Sequence, residues 1–168
     1  MRKFARFAAL SLSVLTVSIS ALPLFAADLR TMKDAAQIAT LFPARAQLRV
    51  LNFWAIWCVP CVAEMPDLRA IDNAFGAEVA IAGVSLDDML PDAKREDTVS
   101  FLDKQQITYP NVYYTGSLEE LGERMKINGE IPITIVYDRT GKELWRHSGR
   151  LDREETIKRL RDALRRMK

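Results

Sequence analysis

The 168-residue chain is 49% hydrophobic and 27% charged, the composition of a globular protein long enough for one domain with a substantial core. It carries 24 lysines and arginines against 22 aspartates and glutamates. Without the basic residues at the extreme N-terminus, 21 basic residues remain against 22 acidic ones. This near-neutral balance gives no reason to expect nucleic acid as a partner.

The N-terminal segment differs from the rest of the chain. Basic residues within the first six positions precede an apolar, serine-rich run over 7–27 that contains no charge. A secretory signal peptide has this order, but the run is also about long enough to cross a bilayer as a helix. We therefore expect 1–27 to be a signal peptide or an N-terminal membrane anchor. Either one places a single domain, 28–168, outside the cytoplasm.

The cysteines of the chain, Cys58 and Cys61, form one Cys-x-x-Cys motif. A structural zinc site needs four nitrogen or sulfur ligands, and only His147 could join the pair, so we expect no metal. A purely structural disulfide across so short a loop would stabilise the fold little. The motif therefore favours redox chemistry, which needs no further cofactor.

The residues around the motif predict a strand followed by a helix. Residues 48–55 are almost continuously apolar, as in a strand buried on both faces, and 62–75 carry apolar residues at helical spacing up to Gly76. Cys58 then lies at a helix N-terminus, where free backbone N–H groups and the helix dipole favour a thiolate. We expect Cys58 to attack and the more buried Cys61 to resolve.

The remaining elements complete an alternating α/β pattern, with His147 as an ordinary strand residue. The expected strands cover 79–85, 111–114, 133–137 and 143–148, and the expected helices cover 97–106, 117–126 and 152–167.

The chain resembles the thioredoxin superfamily and, within it, the exported TlpA/ResA-like thiol-disulfide oxidoreductases, often reductases in cytochrome c maturation. The residues that carry the resemblance are 51–61, Glu64, Pro66 and 131–138. It covers nearly all of 47–168 and implies an α/β thioredoxin-like fold, a central mixed sheet flanked by helices. It also implies an insertion between the second core strand and the loop at Pro132.

The same resemblance implies that the Ile131–Pro132 bond is cis and that its loop faces the cysteines. From the residues alone, Pro132 would be an ordinary proline at a strand entry. The substrate-binding residues that we assign on this basis are Trp57, Val59, Pro60, Ile131 and Pro132.

Two further positions concern the proton of the thiol pair. Asn52 stands where thioredoxin has a buried aspartate, so that proton acceptor is absent. Glu64 follows Cys61 by three residues on the same helical face and matches an acidic position of the ResA-like motif. It is the candidate catalytic acid or base, and a solvated surface glutamate is the alternative. Pro66 is expected to bend the helix.

We therefore expect a reductase of protein disulfides that a membrane thiol-disulfide carrier re-reduces. A periplasmic thiol oxidase or disulfide isomerase is the alternative, although Val59 and Pro60 lack the histidine of strongly oxidising relatives. A thiol peroxidase would carry threonine at Ala55, three residues before the reactive cysteine. A copper-delivery protein of the Sco type would need Cys-x-x-x-Cys and a nearby histidine.

Overall fold

The computed structural model of the protein describes residues 27–167. The predicted signal peptide or anchor, 1–27, lies outside the described residues except for Ala27. In the described part of the chain, no helix is both long enough and apolar enough to cross a membrane.

Six strands form one mixed sheet in the order β1-β4-β3-β2-β5-β6. The strands are β1 (Leu29–Met32), β2 (Leu48–Trp54), β3 (Val79–Ser85), β4 (Asn111–Tyr114), β5 (Ile133–Asp138) and β6 (Glu143–Ser148). The α-helices are α1 (Val59–Phe75), α2 (Arg95–Lys104), α3 (Leu118–Met125) and α4 (Arg153–Arg166). Strands β1 to β4 pair in parallel, whereas β5 and β6 run antiparallel to their neighbours.

The sheet is covered on both faces, as the apolar runs of β2 and β3 require. On one face, Leu68 of α1 and Leu160 of α4 pack over Val50 in one buried cluster. On the other face, a 3-10 helix over Ala35–Leu41 and Leu121 of α3 form a second cluster with Leu51. Because residues of β2 alternate between the two clusters, both cores meet at the strand that leads into the cysteines.

Most of the predicted elements are present. The mixed sheet and the insertion are confirmed, since α2, β4 and α3 lie between β3 and the Pro132 loop. Neither β1 nor the 3-10 helix over Ala35–Leu41 was predicted: β1 is only four residues long with two exposed side chains, and the 3-10 helix places apolar residues three apart. Helix α1 begins at Val59, so that Cys58 lies at its N-terminus, as predicted.

The position of β2 between β3 and β5 determines where the cysteines lie. Strands β2 and β3 are parallel, so the segments that follow Trp54 and Ser85 emerge at the same edge of the sheet. Strand β5 is antiparallel to β2, so the loop that enters it at Ile133 lies at that edge too. Three segments distant in sequence thus surround the cysteine motif.

The packing around Gly83 generates a stability prediction. A Cβ atom at Gly83 would lie 1.9 Å from Asn111 Oδ1 and 2.8 Å from Trp54 Nε1. These two groups form a buried hydrogen bond of 3.1 Å between β2 and β4. We expect Gly83→Ala to break this bond and lower the free energy of unfolding by about 1–3 kcal/mol, measured by denaturant titration of the oxidised protein.

Gly122→Ala is the matched control, since the nearest atom to the added Cβ there, Ile127 O, is 3.0 Å away. It also adds a residue that favours helix to α3. We expect a smaller loss or none. Equal unfolding midpoints for Gly83→Ala and the unmodified protein would contradict the packing described here.

Candidate active site

The cysteine pair lies where β2 passes into α1. Cys58 is the N-cap residue of α1, and its Sγ lies 3.3 Å from the backbone N of Cys61. The two sulfurs are joined in a disulfide. Cys58 is 6% exposed whereas Cys61 is completely buried, so the predicted order of accessibility is confirmed. In the reduced protein, a thiolate at Cys58 would face the unpaired N–H groups of the first helical turn.

The loop before β5 lies against Cys58. The Ile131–Pro132 peptide bond is cis, as the resemblance implied, and Ile131 O lies 3.6 Å from Cys58 Sγ. Pro132 is buried, and its carbonyl accepts a hydrogen bond of 2.8 Å from Gly149 N. The structure thus brings the two parts of the predicted site together from positions more than 70 residues apart.

The other predicted substrate-binding residues surround this contact. Trp57 is 44% exposed and Val59 is 79% exposed, on either side of the nearly buried Cys58. Pro60 is also exposed in the first turn of α1, and Ile131 is half-buried. Exposed apolar side chains next to a reactive sulfur form a surface on which another protein chain could lie.

Glu64 is fully buried, so the alternative of a solvated helix glutamate is wrong. Its Oε1 accepts a hydrogen bond of 2.8 Å from Asn52 Nδ2, and its Oε2 accepts one of 3.0 Å from Leu151 N. Burial raises the pKa of Glu64, while the hydrogen bonds from Leu151 and Asn52 lower it less strongly. The nearby charges of His147 and Arg150 also lower this pKa.

Thr134 belongs to this buried network, although the sequence did not identify it as a site residue. Asn52 Nδ2 also donates to Thr134 Oγ1 over 3.0 Å, and the two residues are directly paired on β2 and β5. Asn52 Oδ1 has no partner among the described residues. The available signal was the position of Thr134 two residues after Pro132, which places it on the sheet face of Asn52 once the register is known.

Asp87 is a second residue whose part in the site was missed. It is buried after β3, where its Oδ1 accepts a 2.8 Å hydrogen bond from Ile56 N. Its Oδ2 accepts hydrogen bonds from Ser85 Oγ, at 2.7 Å, and Thr98 Oγ1, at 3.0 Å. Asp87 therefore fixes the turn that leads into Cys58. From the sequence we predicted only the strand over 79–85 that precedes Asp87.

A disulfide of the Cys-x-x-Cys type at a helix N-terminus, opposite a cis-proline on a thioredoxin-like sheet, defines a thiol-disulfide oxidoreductase. The comparisons with known proteins agree with this class. Residues 20–142 match the AhpC/TSA family. Because the match extends over more than half of the chain, the protein belongs to this family.

Two individual relatives are named as a thioredoxin-like protein and as a thiol-disulfide oxidoreductase. The thioredoxin-like protein YneN of Bacillus subtilis is 24% identical over 123 residues, which cover 73% of this chain and 68% of YneN. The thiol-disulfide oxidoreductase ResA of Oceanobacillus iheyensis is 36% identical over 64 residues, 36% of this chain and 30% of ResA. The chain thus matches about two thirds of one curated relative and under a third of the other.

The structural comparison extends further along the chain. The solved structure of a thiol-disulfide oxidoreductase from Bacteroides fragilis is similar at a TM-score of 0.59 with 25% identity. The similarity covers 76% of this chain and 87% of that protein. The TlpA/ResA-like resemblance and the thioredoxin-like fold expected from the sequence are confirmed.

The buried state of Glu64 predicts how stability depends on pH. Since the folded protein raises the pKa of Glu64 above its usual value of 4.5, it resists ionisation there more than the unfolded chain does. The stabilisation that the protonated Glu64 gives to the folded protein is fully present below pH 4.5. It is lost as the pH rises through the raised pKa. Glutamine does not ionise, so we expect Glu64→Gln to remove this pH-dependent loss of stability. The difference in thermal midpoint between Glu64→Gln and the unmodified protein should therefore change in favour of the variant as the pH rises from 4.5 through the raised pKa.

The control is Glu123→Gln, which removes an exposed carboxylate of α3. It separates the effect of burial from that of net charge, because both variants lose one acidic group. A stability difference between Glu64→Gln and the unmodified protein that does not vary with pH would show that the pKa of Glu64 is not raised in the folded state.

Proposed function

We propose that the protein reduces disulfides of other proteins outside the cytoplasm, with Cys58 as the attacking and Cys61 as the resolving cysteine. The observation that carries this proposal is the unequal placement of the pair. Cys58 caps α1 beside the cis-proline loop and retains some exposure, whereas Cys61 has none. An incoming disulfide can therefore meet only the first sulfur.

The proposed reaction begins with the reduced dithiol. The Cys58 thiolate attacks one sulfur of the substrate disulfide, forms a mixed disulfide and releases the first substrate thiolate. Cys61 then loses its proton and attacks Cys58 Sγ, which releases the second substrate thiolate. The substrate gains two electrons and the protein ends with the Cys58–Cys61 disulfide, the form that the structure shows.

Glu64 is the proposed acceptor of the Cys61 proton. It lies one helical turn after Cys61, and both side chains are fully buried. Water cannot readily take a proton from such a position, so a nearby carboxylate is needed. Because burial raises the pKa of Glu64, this carboxylate is a stronger base than one in water.

The proposed substrate is a protein chain that lies across Trp57, Val59, Pro60 and the loop at Ile131 and Pro132. Trp57 and Val59 are among the few large apolar side chains exposed in the described part of the chain. Since Ile131 O lies 3.6 Å from Cys58 Sγ, a chain that contacts this loop also reaches the reactive sulfur. The named thiol-disulfide oxidoreductases among the relatives support this substrate class.

The location and the electron donor belong to the same proposal. The N-terminal segment, 1–27, has the order of a signal peptide or membrane anchor. A reductant outside the cytoplasm must be re-reduced after each cycle, and we propose that a membrane thiol-disulfide carrier supplies the two electrons. Anchoring through 1–27 would keep the protein close to this donor.

The roles of the cysteines predict different outcomes for two substitutions. Cys61→Ser should accumulate a mixed disulfide between Cys58 and a cysteine of an insulin chain, or of another disulfide substrate, because Cys58 can attack but nothing resolves the product. Cys58→Ser should lose insulin reduction. Non-reducing electrophoresis and mass spectrometry measure the first outcome, and insulin turbidity measures the second.

The chain contains no other cysteine, so a mixed disulfide in Cys61→Ser must involve Cys58. The doubly substituted protein, with serine at both positions, is the control for non-covalent association. Full insulin-reducing activity in Cys58→Ser would show that the cysteine roles are wrongly assigned.

The direction of electron flow is tested by the reduction potential. We expect equilibration of the full chain with thiol-disulfide buffers to give a value closer to that of thioredoxin, about −270 mV, than to that of the oxidant DsbA, about −120 mV. Alkylation of free thiols followed by mass measurement gives the reduced fraction. A value near the DsbA end would indicate a thiol oxidase while leaving the cysteine roles unchanged.

A further inference from the structure

One backbone peptide group lies between His147 and Glu64. The carbonyl of Arg150 is 3.1 Å from His147 Nε2, and the N–H of Leu151 donates to Glu64 Oε2 over 3.0 Å. This carbonyl and this N–H belong to the same peptide unit. The imidazole of β6 and the buried carboxylate of α1 are therefore joined through one rigid, planar group.

The register of the sheet places His147 on the face where Glu64 lies. Asn52, Thr134 and His147 are directly opposite one another on β2, β5 and β6. Directly paired residues project to the same face of a sheet, and Asn52 contacts Glu64. His147 is half-buried, so it lies where the edge of this face meets solvent.

We propose that His147 is a positioning residue for Glu64: it donates from Nε2 to the Arg150 carbonyl and thereby keeps the Leu151 N–H directed at the carboxylate. The inference rests on the proposed part of Glu64 in disulfide reduction. A carbonyl oxygen can only accept a hydrogen bond, so the contact requires a proton on Nε2. The peptide unit becomes polarised by this bond, which strengthens its N–H as a donor.

The hydrogen bond from Leu151 matters because the Glu64 carboxylate accepts only one other hydrogen bond from the described residues, the bond from Asn52. Among the influences that lower the pKa of Glu64, this bond is the largest. The titratable and charged groups that act on the carboxylate from the packed elements are His147, Arg150 and the buried Tyr109. Arg150 is itself directed toward Asp67, with which it forms an ion pair of 3.2 Å.

The test follows the protonation of Glu64 directly in the oxidised full chain. Infrared difference spectra across a pH titration report the carbonyl band of a protonated carboxyl group, and the band absent from Glu64→Gln belongs to Glu64. We expect His147→Leu to move the midpoint of this band upward by on the order of one pH unit, because the donor is no longer held in place. His147→Gln, which keeps a side-chain N–H donor, should remain close to the unmodified protein.

Ser148→Ala is the matched control on the same strand, since Ser148 is exposed and belongs to the next residue pair across the sheet. It should not move the midpoint. Equal midpoints for His147→Leu and the unmodified protein would overturn the proposal. An equal shift in His147→Leu and His147→Gln would also overturn it, because the effect would then come from the imidazole charge and not from hydrogen-bond donation.

A measurement on the unmodified protein keeps the proposal testable even if His147→Leu does not fold. The ¹⁵N chemical shifts of the His147 ring should show Nε2 as the protonated nitrogen near neutral pH. A proton on Nδ1 alone would contradict the proposal. Neither readout depends on turnover, so a failure to reduce insulin would overturn the proposed function without deciding the role of His147.

Discussion

A buried carboxylate beside a redox-active disulfide must receive its hydrogen bonds from the protein, and this requirement organises the site. Glu64 accepts from Asn52 on β2 and from the backbone of Leu151 just before α4. The loss of either donor would leave a buried acceptor unpaired, which costs about 1–3 kcal/mol or more for a charged group. These bonds therefore fix α1, with Cys61 in its first turn, against the central strand and against the start of α4.

The turn before α1 is held from two sides. On the side of β3, Asp87 accepts a hydrogen bond from the backbone of Ile56, two residues before Cys58. On the side of β5, the carbonyl of Ile131 lies against Cys58 Sγ. Because β2 runs between β3 and β5, the cysteine lies between these contacts and its position depends on both neighbouring strands. This arrangement holds the Cys58 sulfur in place while the apolar surface beside it stays open.

The features that the sequence predicted are those determined by neighbouring residues. The strand into Cys58, the helix after it and the hairpin of β5 and β6 follow from apolar patterns and turn residues within about 15 positions. The cis bond at Pro132 required the family resemblance, because X-Pro bonds in folded proteins are cis in only about 5% of cases. The edge strand β1 was missed because its partner, β4, lies far along the chain.

The contacts that complete the site were beyond prediction because each joins residues distant in sequence. Glu64 meets Leu151 across 87 positions, and Asn52 meets Thr134 across 82. Their pairing depends on the register of three strands and on the packing of α1, neither of which a single sequence specifies. The burial of Glu64 follows from the same long-range packing, and for this reason the sequence left a solvated side chain as the alternative.

Two adjacent rows of side chains across the sheet differ in polarity. One row consists of Val50, Val136 and Trp145, and packs as an ordinary apolar core. The next row toward the disulfide consists of Asn52, Thr134 and His147. Burying polar groups there adds a desolvation cost that an apolar row would avoid, and Asn52 Oδ1 has no partner among the described residues. Since apolar residues could complete the fold at these positions, stability alone does not account for the polar side chains beside the cysteines, whereas the proton transfer that we propose for Glu64 does.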